Sequence, residues 1–174
     1  VNLGAGFVFT DDAPTVTATA GNAATLTVDE TTLATNASAS FANVFTVNYG
    51  ADGAGSTAYK LAVANAASGL IDTATGQAVS MSVDASGNIV GKNTNGDTVF
   101  TISVSAAGVV TLDQARAVQH ADGSNANDTV ALAANSISLT ATATDKDGDS
   151  ASQTVTLGAG FVFTDDAPTV TATA

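Results

Sequence analysis

The sequence predicts an all-β fold: an Ig-like antiparallel β-sandwich that forms one bead of a tandem array. Three observations carry this. Apolar and polar residues alternate with a period of two through much of the chain, the mark of half-buried antiparallel strands. Turn-forming Gly, Asn and Asp cut these runs about every 10–15 residues, as in a sandwich of some eight to ten strands. The first 20 residues, VNLGAGFVFTDDAPTVTATA, return as the last 20 with a single difference, Asn2 against Thr156.

The strands can be placed in order. Phe45, Val47 and Tyr49 alternate with Thr46 and Asn48. Met81 and Val83 alternate with Ser80 and Ser82, and Phe100, Ile102 and Val104 with Thr101 and Ser103. Ile137, Leu139, Ala141 and Ala143 alternate with Ser138, Thr140, Thr142 and Thr144, which predicts a strand near 136–144. Val155, Leu157, Phe161 and Phe163 share an even spacing, which predicts another strand near 150–163. Turn signals separate them at Asp52-Gly53, Ser86-Gly87-Asn88, Asn95-Gly96-Asp97, Ala107-Gly108, Asp122-Gly123 and Asp147-Gly148-Asp149. Residues 112–120, LDQARAVQH, are the one stretch expected to hold a helical turn.

Composition excludes several functions. The chain has 174 residues, no Cys and no Trp, 16 acidic against 4 basic residues, and a net charge of −12. Without Cys there is no disulfide framework, thiolate metal site or thiol nucleophile. The charge argues against nucleic acid as a partner, since that binding needs Lys and Arg to displace counterions. No apolar run approaches the roughly 18 residues of a membrane helix, so no membrane insertion is expected. A hydrophobic content of 45% suffices for a core. Of the acidic residues only Glu30 is Glu; the other 15 are Asp. Asp favours turns and is a small, hard oxygen ligand for Ca2+. This composition suits an extracellular bacterial β protein that uses calcium where others use disulfides.

The terminal repeat sets the organisation. Its offset of 154 residues is too long for a solenoid unit, so each period is a whole domain and the array is a string of beads. Residues 1–10 are expected to be the last strand of the preceding repeat, 11–167 a complete repeat with its linkers, and 168–174 the first strand of the following one. The partners of each bead are thus its identical neighbours in the same chain. The bead itself is expected to be monomeric, with the overhanging strands as edges open to pairing with another molecule.

The chemistry concentrates in Asp. Thr144-Asp145-Lys146-Asp147-Gly148-Asp149 places three carboxylates at alternate positions around a Gly. Three such groups repel one another unless a cation sits among them, and the spacing resembles the start of a calcium loop. No Glu follows at loop position 12, and strands flank the turn, so it is not an EF-hand. The strand after this turn runs to the C-terminal linker. The turn therefore belongs at the end where the N-terminal linker, Asp11-Asp12-Ala13-Pro14, enters. Asp11, Asp12, Asp145, Asp147 and Asp149 are expected to converge there on Ca2+, and Asp165 and Asp166 to serve the next junction. Pro14 and Pro168 restrict the linkers. Glu30 is a candidate sixth ligand at the same end, and Asp122 and Asp128 are candidates for a second site. The alternative for any one of these is a solvated turn Asp.

Other features carry less. His120, the only His, lacks the nucleophile or second metal-binding His that catalysis would need, and a hydrogen-bonded structural role is expected. With 15 Asp, carboxylate pairs will approach by chance, so a glycosidase-like pair does not argue for an enzyme. Thr15, Thr17 and Thr19, and Thr140, Thr142 and Thr144, form rows of a kind that can bind ice, but Thr also suits the solvent face of any strand.

Four stretches together resemble the repeat domains of giant type I-secreted adhesins of Gram-negative bacteria, the repeats-in-toxin (RTX) class. They are Leu26-Thr27-Val28-Asp29-Glu30, VTLDQARAVQHADGSNANDTVAL at 110–132, SISLTATATDKDGDSAS at 136–152 and FVFTDDAP at 161–168. The nonapeptide repeat of calcium β-rolls is absent, so the resemblance is not to the secretion-proximal roll. It implies a non-enzymatic extender bead on the bacterial cell surface, serving adhesion or biofilm formation. Such beads hold a distal binding module away from the cell, with calcium on Asp145, Asp147, Asp149, Asp11 and Asp12. The alternative expectation is an adhesive domain that itself grips a glycan, a protein or ice, with Tyr49 and Tyr59 as its aromatic candidates.

Overall fold

The structure is a computed structural model that describes residues 6–8 and 10–166. Most of the expected terminal strands, 1–10 and 168–174, together with Pro168, therefore lie outside the described residues.

The described chain is an all-β sandwich of fourteen strands. They are β1 (Thr15–Ala18), β2 (Leu26–Asp29), β3 (Ala37–Ser40), β4 (Phe45–Asn48), β5 (Ala54–Val63), β6 (Ala67–Asp72), β7 (Gln77–Val83), β8 (Ile89–Lys92), β9 (Thr98–Val104), β10 (Val109–Gln114), β11 (Thr129–Ala131), β12 (Ile137–Asp145), β13 (Ser150–Leu157) and β14 (Phe161–Thr164). One layer is the six-stranded sheet β3-β10-β9-β8-β7-β6. Against it lie the three-stranded sheets β13-β12-β5 and β11-β14-β2, with the pair β1-β4 beside them. β5 packs over β7, β8 and β9, and β2 over β10.

The period-two pattern explains the packing. Ile137, Leu139, Ala141 and Ala143 of β12 are all fully buried, while the residues between them are half-buried. On the outer face of β12 and β13 the hydroxyls of Thr140 and Thr154, Thr142 and Ser152, and Thr144 and Ser150 pair across the strands, each at 2.8 Å. The core between the layers is closed by aromatic contacts: Phe100 with Phe163 at 5.6 Å and Phe41 with Phe161 at 6.5 Å.

Three expectations need correction. Residues 112–120 hold no helical turn: Leu112, Asp113 and Gln114 belong to β10, and Val118 bridges to Asp72. Pairing with β3 and β9, and full burial of Leu112, override local preference there. Single 3-10 turns occur instead at Ala20–Asn22, Glu30–Thr32 and Ala42–Val44. The strand expected near 150–163 is two strands. At Gly158, φ is 142°, and an added Cβ would stand 2.2 Å from the Ala133 carbonyl oxygen, so only Gly lets the chain pass there from one sheet to the next. Pairing is also not wholly antiparallel, because β2 and β14 run parallel.

A buried ionic contact ties β6 to the segment after β10. The Asp72 carboxylate, 0% exposed, accepts from Arg116 Nε and Nη2 at 3.1 Å, from Asn93 Nδ2 at 2.9 Å and from Thr75 Oγ1 at 2.6 Å. The guanidinium of Arg116, against the cost of burial and aided by Thr75 and Asn93, holds this carboxyl well below the usual carboxylate range. This makes Asp72 a structural anchor. Among the described residues, no helix is long and apolar enough to cross a membrane.

The position shared by Phe7 and Phe161 in the two copies of the repeat appears in two environments. Phe161 is 1% exposed inside β14, whereas Phe7, at the matching position, is 71% exposed and outside any strand. Phe161→Ala is expected to cost roughly 3–5 kcal/mol through lost transfer energy and the cavity left behind. Phe7→Ala should change stability by no more than about 0.5 kcal/mol. Urea unfolding of the two variants checks the contrast.

Candidate metal centres

The acidic turn joins β12 to β13, and its conformation follows from Asp145. One oxygen of that carboxylate, Oδ1, accepts from the backbone N–H of Gly148 at 3.0 Å and of Asp149 at 2.8 Å. The Asp145 N–H donates to the Asp149 carbonyl at 3.0 Å. Gly148 takes φ 112°, which closes the turn. The Asp145 residue is 4% exposed, and its other oxygen, Oδ2, is buried with no hydrogen-bond partner. Asp145, Asp147 and Asp149 each place a carboxylate oxygen within 4.8 Å of the others.

Two further segments reach this turn. β5 pairs antiparallel with β12, with a register shift at Thr144/Asp145 that sets Asp145 opposite Ala54. That pairing brings Asp52, just before β5, to the same end. The N-terminal linker reaches the same place. Asp11, Asp52 and Asp147 form a second group of oxygens within 4.8 Å of one another, so Asp147 belongs to both groups. Asp52 Oδ2 is, like Asp145 Oδ2, buried and unpartnered. Asp12 lies beside them, its two oxygens accepting from the Ala51 N–H at 3.2 and 3.3 Å.

Of the residues expected here, Asp11 meets Asp147, and Asp147 meets Asp145 and Asp149, while Asp12 is anchored on the Ala51 N–H. Asp52 was missed. Its Asp-Gly signal marks only a turn, and nothing local says which strand β5 will pair with.

Electrostatics at this end is unbalanced. The Asp145 carboxyl beside it, then burial, then the charges of Asp11, Asp145 and Asp52, push Asp147 up to about 6. Asp52 is raised by the adjoining Asp12 carboxyl, by burial and by the charges of Asp12, Asp11 and Asp145. Burial pushes Asp145 upward too, but contact with Asp147 and the N–H groups of Gly148 and Asp149 outweigh it and leave it lowered. Among the described residues, Lys146 makes no ion pair with these carboxylates. Five crowded carboxylates with two orphaned buried oxygens offer the all-oxygen donors that could hold a hard divalent cation.

Glu30 does not join this group, contrary to expectation. β2 and β14 run parallel with Asp29 opposite Thr164, so the residues that follow, Glu30 and Asp165, emerge side by side. Glu30, His120 and Asp165 form a third group of donor atoms within 4.8 Å. Glu30 Oε1 accepts from Gln114 Nε2 and the Val118 N–H, both at 2.8 Å, and lies 3.3 Å from His120 Nε2. The hydrogen-bonded role expected of His120 is present in that contact. Asp165 is held by its N–H on the Asp128 carbonyl at 2.9 Å, and the Asp166 N–H donates to Asp165 Oδ1 at 3.0 Å.

Asp122 and Asp128 serve their own loop. Asp128 Oδ2 accepts from the Asp122 N–H at 2.9 Å, and Asp122 Oδ1 accepts from the Ser124 hydroxyl at 2.6 Å. Backbone donors, chiefly the Asp122 N–H, lower Asp128. Among the described residues, neither joins a group of three metal-donor side chains. Tyr59 packs its ring on Phe45 at 6.1 Å, and the Tyr49 hydroxyl bonds Thr57 at 2.5 Å, so both candidate aromatics are engaged within the fold.

Two outcomes are expected. Gly50 has φ 70°, and an added Cβ would stand 2.3 Å from Asp12 Oδ2. Gly50→Ala should therefore displace Asp12 and lower stability by about 1–3 kcal/mol, measured by thermal unfolding. The second outcome concerns pH in the absence of divalent cations. Asp147 has a folded pKa above its unfolded value, so its ionisation destabilises the fold above about pH 6, and stability returns as pH falls toward 4. Asp147→Asn should melt higher than the wild type at pH 7 in EDTA, with the difference vanishing near pH 4.

No curated protein matches this chain, and no solved structure does. Residues 25–158 match a family described as a domain of unknown function, DUF5801, a span that holds the 145–149 turn, Asp52, Glu30 and His120 but neither Asp-Asp linker. The chain belongs to that DUF5801 family.

Proposed function

We propose that the domain is a calcium-stiffened extender repeat of a bacterial cell-surface adhesin, with no catalytic role. The observation that carries this reading is the meeting of linker and acidic turn: Asp11 with Asp52 and Asp147, and Asp147 with Asp145 and Asp149. An all-oxygen donor set of this kind suits Ca2+. The cation neutralises the cluster, takes up the orphaned oxygens of Asp52 and Asp145, and ties the incoming linker to the bead.

The repeat extends the argument to an array. Asp11-Asp12 and Asp165-Asp166 are the same linker residues in successive periods. The first copy lies against the acidic turn and the second against Glu30 and His120. In a tandem chain, one linker would meet the end of one bead and the start of the next at once. Ligation there fixes the angle between beads and turns a flexible string into a rod that projects a distal binding module. The resemblance to secreted adhesins supports an extracellular, cell-surface setting, in which calcium outside the cell completes folding after export through the low-calcium cytosol.

Thermal unfolding in EDTA and in millimolar CaCl2 tests this, beside Asp145→Ala/Asp147→Ala. At calcium a hundredfold above its Kd the wild type should melt about 5–10 °C higher, and the variant should lose the shift. Small-angle scattering of a two-repeat protein should show extension on adding calcium. An unchanged wild-type Tm would remove calcium from the reading and leave the adhesive-domain alternative, for which glycan and ice binding are the assays.

A further inference from the structure

The acidic turn is not the only place where donor atoms converge. We propose that Glu30, His120 and Asp165 form a second divalent-metal site at the other end of the domain, with a nitrogen–oxygen donor set suited to a borderline ion such as Zn2+. The proposal does not depend on calcium at the acidic turn.

Geometry comes first. The parallel register of β2 and β14 sets Glu30 beside Asp165, and one donor atom from each of Glu30, His120 and Asp165 lies within 4.8 Å of the others. These residues line a cavity of about 270 Å³ with Thr73, Val118 and Asp166. Asp166, the second residue of the linker pair, thus lines the same cavity. The site is built rather than incidental: the Glu30 and His120 side chains are each 3% exposed, and Gln114 and the Val118 N–H hold Glu30 in place through Oε1.

The imidazole supplies an independent observation. His120 Nδ1 is buried and has no hydrogen-bond partner. A neutral imidazole carries one N–H and one lone pair. If Nε2 carries the proton and donates to Glu30, the Nδ1 lone pair is orphaned. If Nδ1 carries it, that buried N–H is orphaned and the Nε2 lone pair faces the Glu30 carboxylate at 3.3 Å, a repulsive contact. In either tautomer one ring nitrogen keeps a lone pair for a cation to take, and with the lone pair on Nε2 that cation also meets the Glu30 carboxylate. Zn2+ takes imidazole nitrogen and carboxylate oxygen in tetrahedral sites, whereas Ca2+ prefers six to eight oxygens.

His120 is the only His in the chain, so its ring resonances in a proton NMR spectrum need no assignment. Metal-stripped protein is titrated with ZnCl2, following those resonances and Tm, in the wild type, Asp165→Asn, Asp145→Asn and His120→Gln. Zn2+ should shift the ring resonances at about one equivalent. Asp165→Asn should weaken this about tenfold or more, and Asp145→Asn should leave it unchanged. The Zn2+-dependent rise in Tm should be lost in His120→Gln; if that variant does not fold, the Asp165→Asn titration decides. Ring resonances unmoved at saturating Zn2+, or moved equally in Asp165→Asn, would overturn the site. So would a Tm rise that survives in His120→Gln, which would place the ion on the aspartates. Because the calcium reading is tested through Asp145 and Asp147, the two readings fail separately.

Discussion

The meeting of Glu30 with Asp165 depends on how one short strand is gripped. β14 lies between β11 and β2, antiparallel to one and parallel to the other. Its two Phe side chains enter the core, Phe161 on Phe41 and Phe163 on Phe100. Burying two aromatic rings is worth several kcal/mol, enough to hold a four-residue strand in one register. Once that register is set, the positions of Asp165, Glu30 and the Asp128 carbonyl follow without further choice. Phe7, which matches Phe161 in the first copy of the repeat, lies outside any strand and is exposed. The strand is thus a property of its slot more than of its sequence.

Charge follows a related logic. Along the outer face of β12 and β13, hydroxyls meet hydroxyls, and the sheet surface stays neutral. Negative charge is gathered instead at the ends, in turns and linkers, where Asp is favoured for its short side chain. Asp145 shows how one residue can shape a turn and offer a ligand together. One oxygen is spent on the N–H groups of Gly148 and Asp149, which fold the turn, and the other is left buried and unpaired. At Asp72 the opposite solution appears: a buried carboxylate fully met by Arg116, Asn93 and Thr75. That contrast separates a structural carboxylate from one suited to a cation.

The two ends differ in donor chemistry. The acidic turn offers carboxylate oxygen alone, while the other end adds an imidazole and a carboxylate already fixed by neighbours. The two copies of the linker Asp pair are divided between them: Asp11 stands with Asp52 and Asp147, and Asp165 with Glu30 and His120.

Much was legible in the residues themselves. The alternation in β9 and β12 and the turns at Asp52-Gly53 and Asp147-Gly148-Asp149 follow from local sterics and side-chain period, which a sequence carries directly. The approach of Asp11 to the 145–149 turn was also accessible, because it needs only the direction of one strand. What the sequence could not decide were the pairings. Asp52 joins the cluster because β5 runs beside β12, and Glu30 leaves it because β2 runs parallel to β14. The break at Gly158 and the strand through 112–114 depend likewise on partners distant in the chain. Backbone conformation is set mainly by neighbours in sequence, whereas the meeting of donor atoms is set by which strands exchange hydrogen bonds. That choice belongs to the packing of the whole core, and only the tertiary structure records it.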